Sequence, residues 1–538
     1  MGRRLTENSR LARVGHFVAL VALGAGALAA VLAVLPFRAF DLDRFFVPKE
    51  LALHVSALIA GVALLAGARR LSIVRADVVL VAWLALSAIS ALFATNHSLA
   101  FRALAITISG AVVYWSARRI AASGLADALT IVIAVAIVAG ALTALAQAYG
   151  VKMEFAALNR APGGTFGNRN FMAHLVAIGV PLLFYRIAVA RSSLAIAAWM
   201  ASLAACSGAI VLSRTRAAWL ALAVCGVLGM LIAARGPALL EGPQARRRLW
   251  RAAGVAALGV VLALVLPNAL DWRSESPYLD SVRGVVNFRE GSGKGRLTQY
   301  VNSARIAAAH PVLGAGPGNW PVLYPRYAPS NDPSLVEGTG MTANPWPSSD
   351  WMAALSERGV PATLALAGFV AVLVLGALRV RYDPSRTAIE RLTALAGAGV
   401  VGVAVVEGGF DAVLLLSAPA LAAWAAAGAL IPPGGEARVV ALTLRSRAAL
   451  AIVTGAFCLS AALASSRRIE AMRLFAKGTI AALEDAAAHD PGSYRIRMHA
   501  AETYGARGQC GNARRHALVA RRLFPSAFAP KQLLEQCK

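Results

Sequence analysis

Arginine is the residue type that stands out wherever this chain could do chemistry. Arg160 and Arg169 bracket the stretch Asn159-Arg160-Ala-Pro-Gly-Gly-Thr-Phe-Gly-Asn-Arg169-Asn170. Ser213-Arg214-Thr-Arg216 forms a hinge so short that both guanidinium groups must lie at or below a membrane surface. Arg296 follows in a long polar interval, and Lys49 closes the segment Asp41-Leu-Asp-Arg-Phe-Phe-Val-Pro-Lys49. A guanidinium keeps its charge and presents a planar fork of donors that fits phosphate oxygens. A charged side chain in a span costs about 2.5–3.5 kcal/mol at the helix centre and less at the interface. Snorkelling to the surface accounts for any single one of these arginines, but it accounts poorly for the set. Several arginines meeting at the outer lipid surface suit a lipid-linked phosphate or pyrophosphate, whose departure fixed cations would stabilise. No CxxC or His/Cys cluster points to a metal, and no motif points to a cofactor.

The elements that must position these residues are membrane spans. Apolar residues make up 58% of the 538, only 15% are charged, and mean hydropathy is +0.62. A soluble chain carries roughly 25% charged residues. The composition therefore specifies an all-α, polytopic integral membrane protein. Apolar runs of span length fall roughly at 14–36, 51–68, 77–95, 100–117, 126–149, 171–190, 193–213, 216–234, 252–267, 359–378, 392–409, 412–431 and 447–466. That is about thirteen (12 to 14), with Glu407-Gly-Gly-Phe-Asp411 as the tight turn between two of them. The first run, up to Pro36, reads as a retained helix rather than a cleaved signal. Alternate turns are rich in arginine, among them Arg3/Arg4, Arg69/Arg70, Arg118/Arg119 and Arg246 to Arg248, which marks them as cytoplasmic. The same rule absorbs most of the net charge of +26, so nucleic acid is not needed to explain it. An odd number of spans then places the C-terminal tail on the outer side with the large loop. The expected organisation is a membrane domain over 1–466, containing a periplasmic loop at 268–357, and a periplasmic helical tail at 467–538.

The stretch from Leu266 to Trp351 is the long polar interval of the membrane domain, and it carries Arg283, Arg289, Lys294 and Arg296. Its His310-Pro-Val-Leu-Gly-Ala-Gly-Pro-Gly-Asn-Trp320 run is not a nucleotide loop, because it follows no strand and lacks a following Lys-Ser/Thr. It reads as the end of a helix from about Arg296 to Ala309, with glycines in left-handed positions. In the tail, Pro491 and Pro525 stand 34 residues apart, the tetratricopeptide period, and the repeat's small and aromatic positions fall on Ala501, Tyr504, Ala513 and Ala520. A lone helical hairpin is the alternative. Cys510 and Cys537 could pair in an oxidising compartment, whereas Cys206, Cys225 and Cys458 sit in apolar runs as small hydrophobes.

Taken in order, several of these motifs resemble the O-antigen ligase/polymerase family. The resemblance rests on Gly164-Thr-Phe-Gly-Asn-Arg-Asn-Phe171, Ser213-Arg214, Arg296 with His310 to Trp320, Asp350-Trp-Met-Ala-Ala-Leu-Ser-Glu357-Arg-Gly359, and Lys49 after Pro48, and it covers about residues 15 to 430. It implies inverting, metal-independent glycosyl transfer on the periplasmic face of a bacterial inner membrane. The donor would be an undecaprenyl-pyrophosphate-linked glycan. The acceptor would be lipid A-core, another lipid-linked repeat unit, or a protein. Arg160, Arg214 and Arg296 match the family's functional arginines by position, while Arg216 and Arg169 are neighbours without a clear counterpart. Where the family has His-Asn before its acidic-aromatic pair, this chain has Ser348-Ser349-Asp350-Trp351. With that histidine missing, Asp350 and His310 are the candidates for taking the acceptor's proton. Asp350 also reads as a helix cap, and His310 as a cation closing a helix. Two other classes compete: a catalytically weak scaffold whose tail recruits a protein partner of an assembly complex, and a membrane transporter. The transporter predicts mid-span charges and an inverted repeat, neither of which is prominent.

Overall fold

A chain crossing hydrocarbon must satisfy its own backbone N–H and C=O groups, so each apolar run becomes a helix. The computed structural model describes residues 10–153, 160–239, 243–272, 274–284, 291–432 and 437–537. Arg3, Arg4, Asn159 and Arg289 lie outside the described residues. Among the described residues, eleven helices are long and apolar enough to cross a membrane, which makes this a multi-pass membrane protein. The first are α1 (Arg10–Leu32), α2 (Asp43–Gly67) and α3 (Arg75–Leu92). A 52-residue stretch follows, His97–Ala148, made of α4 (His97–Ile120) and α5 (Ala126–Ala148). Then come α6 (Arg169–Val189), α7 (Ser193–Ser213), α8 (Arg216–Ala234) and α9 (Pro243–Val265). The polar interval holds α10 (Pro277–Arg283), α11 (Gly291–Ala309) and the single turn α12 (Trp320–Leu323). The chain returns to the membrane in α13 (Asp350–Tyr382), α14 (Ala388–Phe410), α15 (Ser417–Leu430) and α16 (Leu444–Phe475). The tail adds α17 (Ile480–His489), α18 (Tyr494–Gly505), α19 (Cys510–Leu523) and α20 (Ala529–Gln536).

A helix stands at each of the thirteen expected positions, yet only eleven qualify as separate spans, for two physical reasons. The first is that α4 and α5 are continuous except for a kink at Gly124, whose φ of 91° is open to glycine and strained for other residues. As one rod, 52 residues would reach about 78 Å, far beyond a bilayer core of about 30 Å. Both outer ends instead meet the polar interval. Asn96, before α4, exchanges hydrogen bonds with Asn319 at 2.7 and 3.1 Å, and Ala148 at the end of α5 accepts from Ala269 at 2.8 Å. The limbs therefore run in opposite directions from the kink. The second reason is α15, which has 14 residues, all buried. A helix enclosed by protein need not match lipid thickness. At the face opposite the polar interval, Arg118 pairs with Asp77 at 2.6 Å and Arg186 with Asp127. On that side β1 (Arg70–Ile73) pairs antiparallel with β4 (Arg438–Ala441); among the described residues the other ribbon is β2 (Leu335–Val336) with β3 (Met341–Thr342).

One buried arginine on that opposite face ties helices together. Arg381, with no exposed surface, donates to Pro237 O at 2.8 Å and to the carbonyls of Ile232, Ala233 and Arg235 at 2.9–3.2 Å. It thereby caps α8, whose final carbonyls have no intrahelical partner. Arg381→Met should destabilise the protein by about 3 kcal/mol or more, since bonds to a charged donor are worth about 1.5–3 kcal/mol each. Thermal unfolding in detergent checks this, with the exposed Arg379→Met as the silent control.

The tail packs on the face of the polar interval. Helix α16 passes without a break through the expected domain boundary at 466/467, and Arg468 on it lies 4.0 Å from Glu50. Phe40 and Val47 bury against Ala471, Met472, Ala486 and Ile496, and Phe528 donates its N–H to Thr339 O at 3.0 Å. Ala501, Ala513 and Ala520 have no exposed surface, and Tyr504 is buried with them. Cys510 and Cys537 form a disulfide joining α19 to the end of α20.

Candidate active site

The hinge between α7 and α8 is built around Arg214, whose φ of 56° is positive, alone among described non-glycine residues. A bulky side chain held there costs of order 1–3 kcal/mol and persists only where its surroundings fix it. Those surroundings are specific. Arg214 closes α7 by donating its N–H to Val211 O, and its side-chain Nε donates to Ser281 Oγ on α10 at 2.8 Å. Its guanidinium lies 4.6 Å from the ring centre of Trp272, and that of Arg169 lies 5.0 Å from the same ring. Arg160 is exposed beside them, its carbonyl accepting from the Arg169 N–H at 3.0 Å, and Arg169 lies within electrostatic reach of both Arg160 and Arg214.

Two residues further along the hinge, Arg216 donates to Gly284 O and lies within electrostatic reach of Arg296 and Arg214. Arg216, Gly284 and Arg296 line an open cleft together with Leu220, Tyr300 and Phe410. Tyr300 knits three elements at its floor, because its hydroxyl donates to Ser348 O at 3.0 Å and to Gly409 O at 2.7 Å. Burial pushes the Tyr300 phenol up to about 12 against the opposing charge of Arg296, so it remains a donor. Ser348 is thus held by its main chain beside Tyr300, a residue of the cleft lining.

Behind Arg296 sits a set of ionisable groups that sequence reasoning missed. Asp411 Oδ2 lies 3.6 Å from Arg296 Nη2, 3.4 Å from His174 Nε2 and 3.2 Å from the Asn170 amide. The other ring nitrogen of His174 is 3.2 Å from Glu407 Oε1. Asn170 links this set to the hinge, since Thr215 Oγ1 donates to its amide oxygen at 3.2 Å. Burial works to raise the Asp411 carboxyl, but the bond and charge of His174, with Arg296 and the Ala412 N–H, prevail and hold it below the usual carboxylate range. The signal was available: a histidine deep in one apolar run and an acidic pair at i, i+4 closing another are functional candidates by default. Reading Glu407 to Asp411 as a turn alone passed over it.

Asp350 lies close by, but its two oxygens accept from the backbone N–H groups of Val413 and Leu414 at 3.0 and 2.9 Å. The helix cap is Ser349, which accepts from Met352 N at 3.3 Å. His310 stands exposed beyond the end of α11, about 15 Å along the helix axis from Tyr300. Lys49 is buried against the Phe166 ring, donating to Val31 O and Ala33 O at 2.8 and 3.0 Å and closing α1. The glycine-rich run is a buckle. Gly314, Gly316 and Gly318 all have positive φ, and the N–H groups of Ala315, Gly316 and Gly318 are spent on Ser356 O, Glu357 O and the Glu357 carboxylate. It braces α13 at its own kink, Gly359.

The arrangement brings Arg160, Arg169, Arg214, Arg216 and Arg296 into one continuous cationic strip at the membrane end of the polar interval. It leaves Lys49 and His310 outside. Such a strip can hold an extended anion and stabilise charge that develops on it. No curated protein matches the chain. Residues 201–367, less than a third of the length, match the family model described as O-antigen ligase. In the segment that carries Arg214, Arg216 and Arg296, the chain is therefore similar to the O-antigen ligase family.

Proposed function

We infer that this protein transfers a glycan from a lipid-linked pyrophosphate donor to an acceptor during surface polysaccharide assembly. The carrier is undecaprenyl pyrophosphate, the acceptor is lipid A-core, another lipid-linked repeat unit or a protein, and the site faces the periplasm of the inner membrane. The observation that carries this reading is the cleft itself. Its lining combines Arg216, Arg296 and Tyr300 with apolar Leu220 of α8 and Phe410. Among described residues α8 buries little beyond Ala217, Ala218 and Ala221, leaving Val227, Leu228 and Met230 exposed to lipid. A ligand with a diphosphate head and an isoprenoid chain suits this combination of cations and apolar surface. In the reaction, Arg216 and Arg296 take up the charge that grows on the departing pyrophosphate without requiring a metal ion, and attack from the opposite side inverts the anomeric centre. Reading α4, α5 and α15 as separate passes gives thirteen, an odd number that supports a periplasmic tail, and the Cys510–Cys537 disulfide is chemically at home in that compartment. The tail's tetratricopeptide-like helices offer a surface for a protein partner.

Polysaccharide analysis of a deletion strain tests the reading. Long chains stranded on the carrier lipid are expected of a missing ligase, and single unpolymerised units of a missing polymerase. Unchanged surface and carrier-linked glycans would remove the function.

A further inference from the structure

Resting on that reading, we propose that Asp411 takes the proton from the acceptor hydroxyl, with His174 and Glu407 as positioning residues behind it. The argument begins with what the cleft lacks: its described lining contains no histidine, aspartate or glutamate. The first carboxylate behind the lining is Asp411, which follows the cleft residue Phe410 and touches the cleft residue Arg296 at 3.6 Å. Within the buried set it alone reaches a surface, at 11% side-chain exposure against 0% for both His174 and Glu407. A modest swing of the Arg296 side chain toward a bound anion bares Asp411 Oδ2 to whatever sits beside that anion.

The geometry behind Asp411 orders it for this task. Glu407 Oε1 holds one ring nitrogen of His174, and the other lies 3.4 Å from Asp411 Oδ2. The partner that one imidazole nitrogen takes sets the role of its second. Asn170 fixes the same Asp411 oxygen from the hinge side, and the Ala412 N–H holds Oδ1 at 2.9 Å. Asp411 is thus confined in position and deprotonated at neutral pH, as a proton acceptor must be. Asp350 differs from it, because both its oxygens serve the backbone of the turn that carries Asp411, whereas the partners of Asp411 Oδ2 are side chains.

The step balances as follows. The acceptor oxygen forms a bond to the anomeric carbon as the bond from that carbon to the pyrophosphate oxygen breaks. The electron pair of the broken bond stays with the pyrophosphate, beside Arg216 and Arg296. The hydroxyl proton passes to Asp411 Oδ2, where the charge of the Asp411–His174–Glu407 set accommodates it, and it leaves to water before the next turnover.

The test uses the full chain in detergent with a lipid-pyrophosphate-linked glycan and a hydroxyl acceptor, measuring kcat and donor KM. Asp411→Asn should lower kcat by about 100-fold or more while donor KM stays within about two-fold, the pattern of a lost proton acceptor. Formate should restore part of the rate to Asp411→Ala and none to Asp350→Ala. His174→Gln should lower kcat by roughly 10-fold, as expected when the base survives but is less well held. Wild-type kcat in Asp411→Asn, or a loss confined to donor KM, would overturn the proposal and leave Asp411 as a support for Arg296. If Asp411→Ala fails to accumulate, Asp411→Asn and Asp411→Glu decide the matter, with Glu expected to outperform Asn. Transfer by the wild type with no effect of Asp411→Asn removes only this assignment; no transfer by the wild type removes the functional reading along with it.

Discussion

Arg296→Ala is expected to reduce glycan transfer by roughly 100- to 1,000-fold, the cost of removing one well-placed donor to a developing oxyanion. Arg296 is the cation that both lines the cleft and touches the buried acidic set, so its loss removes charge stabilisation and unseats Asp411 together. The folded state should tolerate the change. The side chain is 22% exposed, and Asp411 keeps His174 and Asn170 as partners. Arg296→Lys should recover only part of the rate, because an ammonium has the charge without the planar fork. Effects should grade outward along the strip. Arg214 combines a cleft-side role with contacts to Ser281 and Trp272, so its replacement lowers both activity and the order of α10. Arg160, exposed and held by its main chain, should matter least. The measurement is transfer per molecule, with abundance and melting temperature recorded in parallel. A normally abundant Arg296→Ala protein that still delivers wild-type polysaccharide would show that the cleft does not hold the leaving group.

The helices of this protein were legible in its sequence because the bilayer imposes length and apolarity on every span. What hydropathy leaves open is context. Gly124 and Gly359 both stand at the edges of apolar runs, yet one divides two limbs and the other bends a single helix against a glycine-rich buckle. The run at 412–431 has the composition of a lipid-crossing helix, but its helical part is short and enclosed by protein, a property that depends on its neighbours. The arginines of the strip were legible for a sharper reason: charge at a membrane boundary is costly, so each one demanded an explanation. Lys49 met the same criterion and proved to close α1, since only the fold shows which carbonyls lie within reach of a buried ammonium. His174 and Glu407 stand 233 residues apart and form a pair only through the packing of α6 on α14. Periodicity carries no record of that juxtaposition.

Asp350 offers the cleanest separation of a structural carboxylate from a chemical one. Its oxygens accept from Val413 N and Leu414 N, and Ser349 Oγ donates to Gly408 O at 2.9 Å, so the start of α13 grips the turn after α14 at two points. Asparagine at position 350 can offer one oxygen, but its amide nitrogen must then face a second N–H. One buried donor is left without a partner, at a cost of about 1–3 kcal/mol, and Asp350→Leu strands both. Asp350→Asn should therefore melt at a lower temperature than the wild type and accumulate less, with Asp350→Leu worse in both respects. Asp411→Asn should not follow that pattern, because its amide can still accept from Ala412 N and its neighbours are side chains free to adjust. Any loss of transfer in Asp350→Asn should scale with the loss of stability, since it arises from slack in the turn that carries Asp411. An Asp350→Asn protein that melts like the wild type yet transfers nothing would reverse the order of the two residues and make Asp350 the group that meets the acceptor's proton.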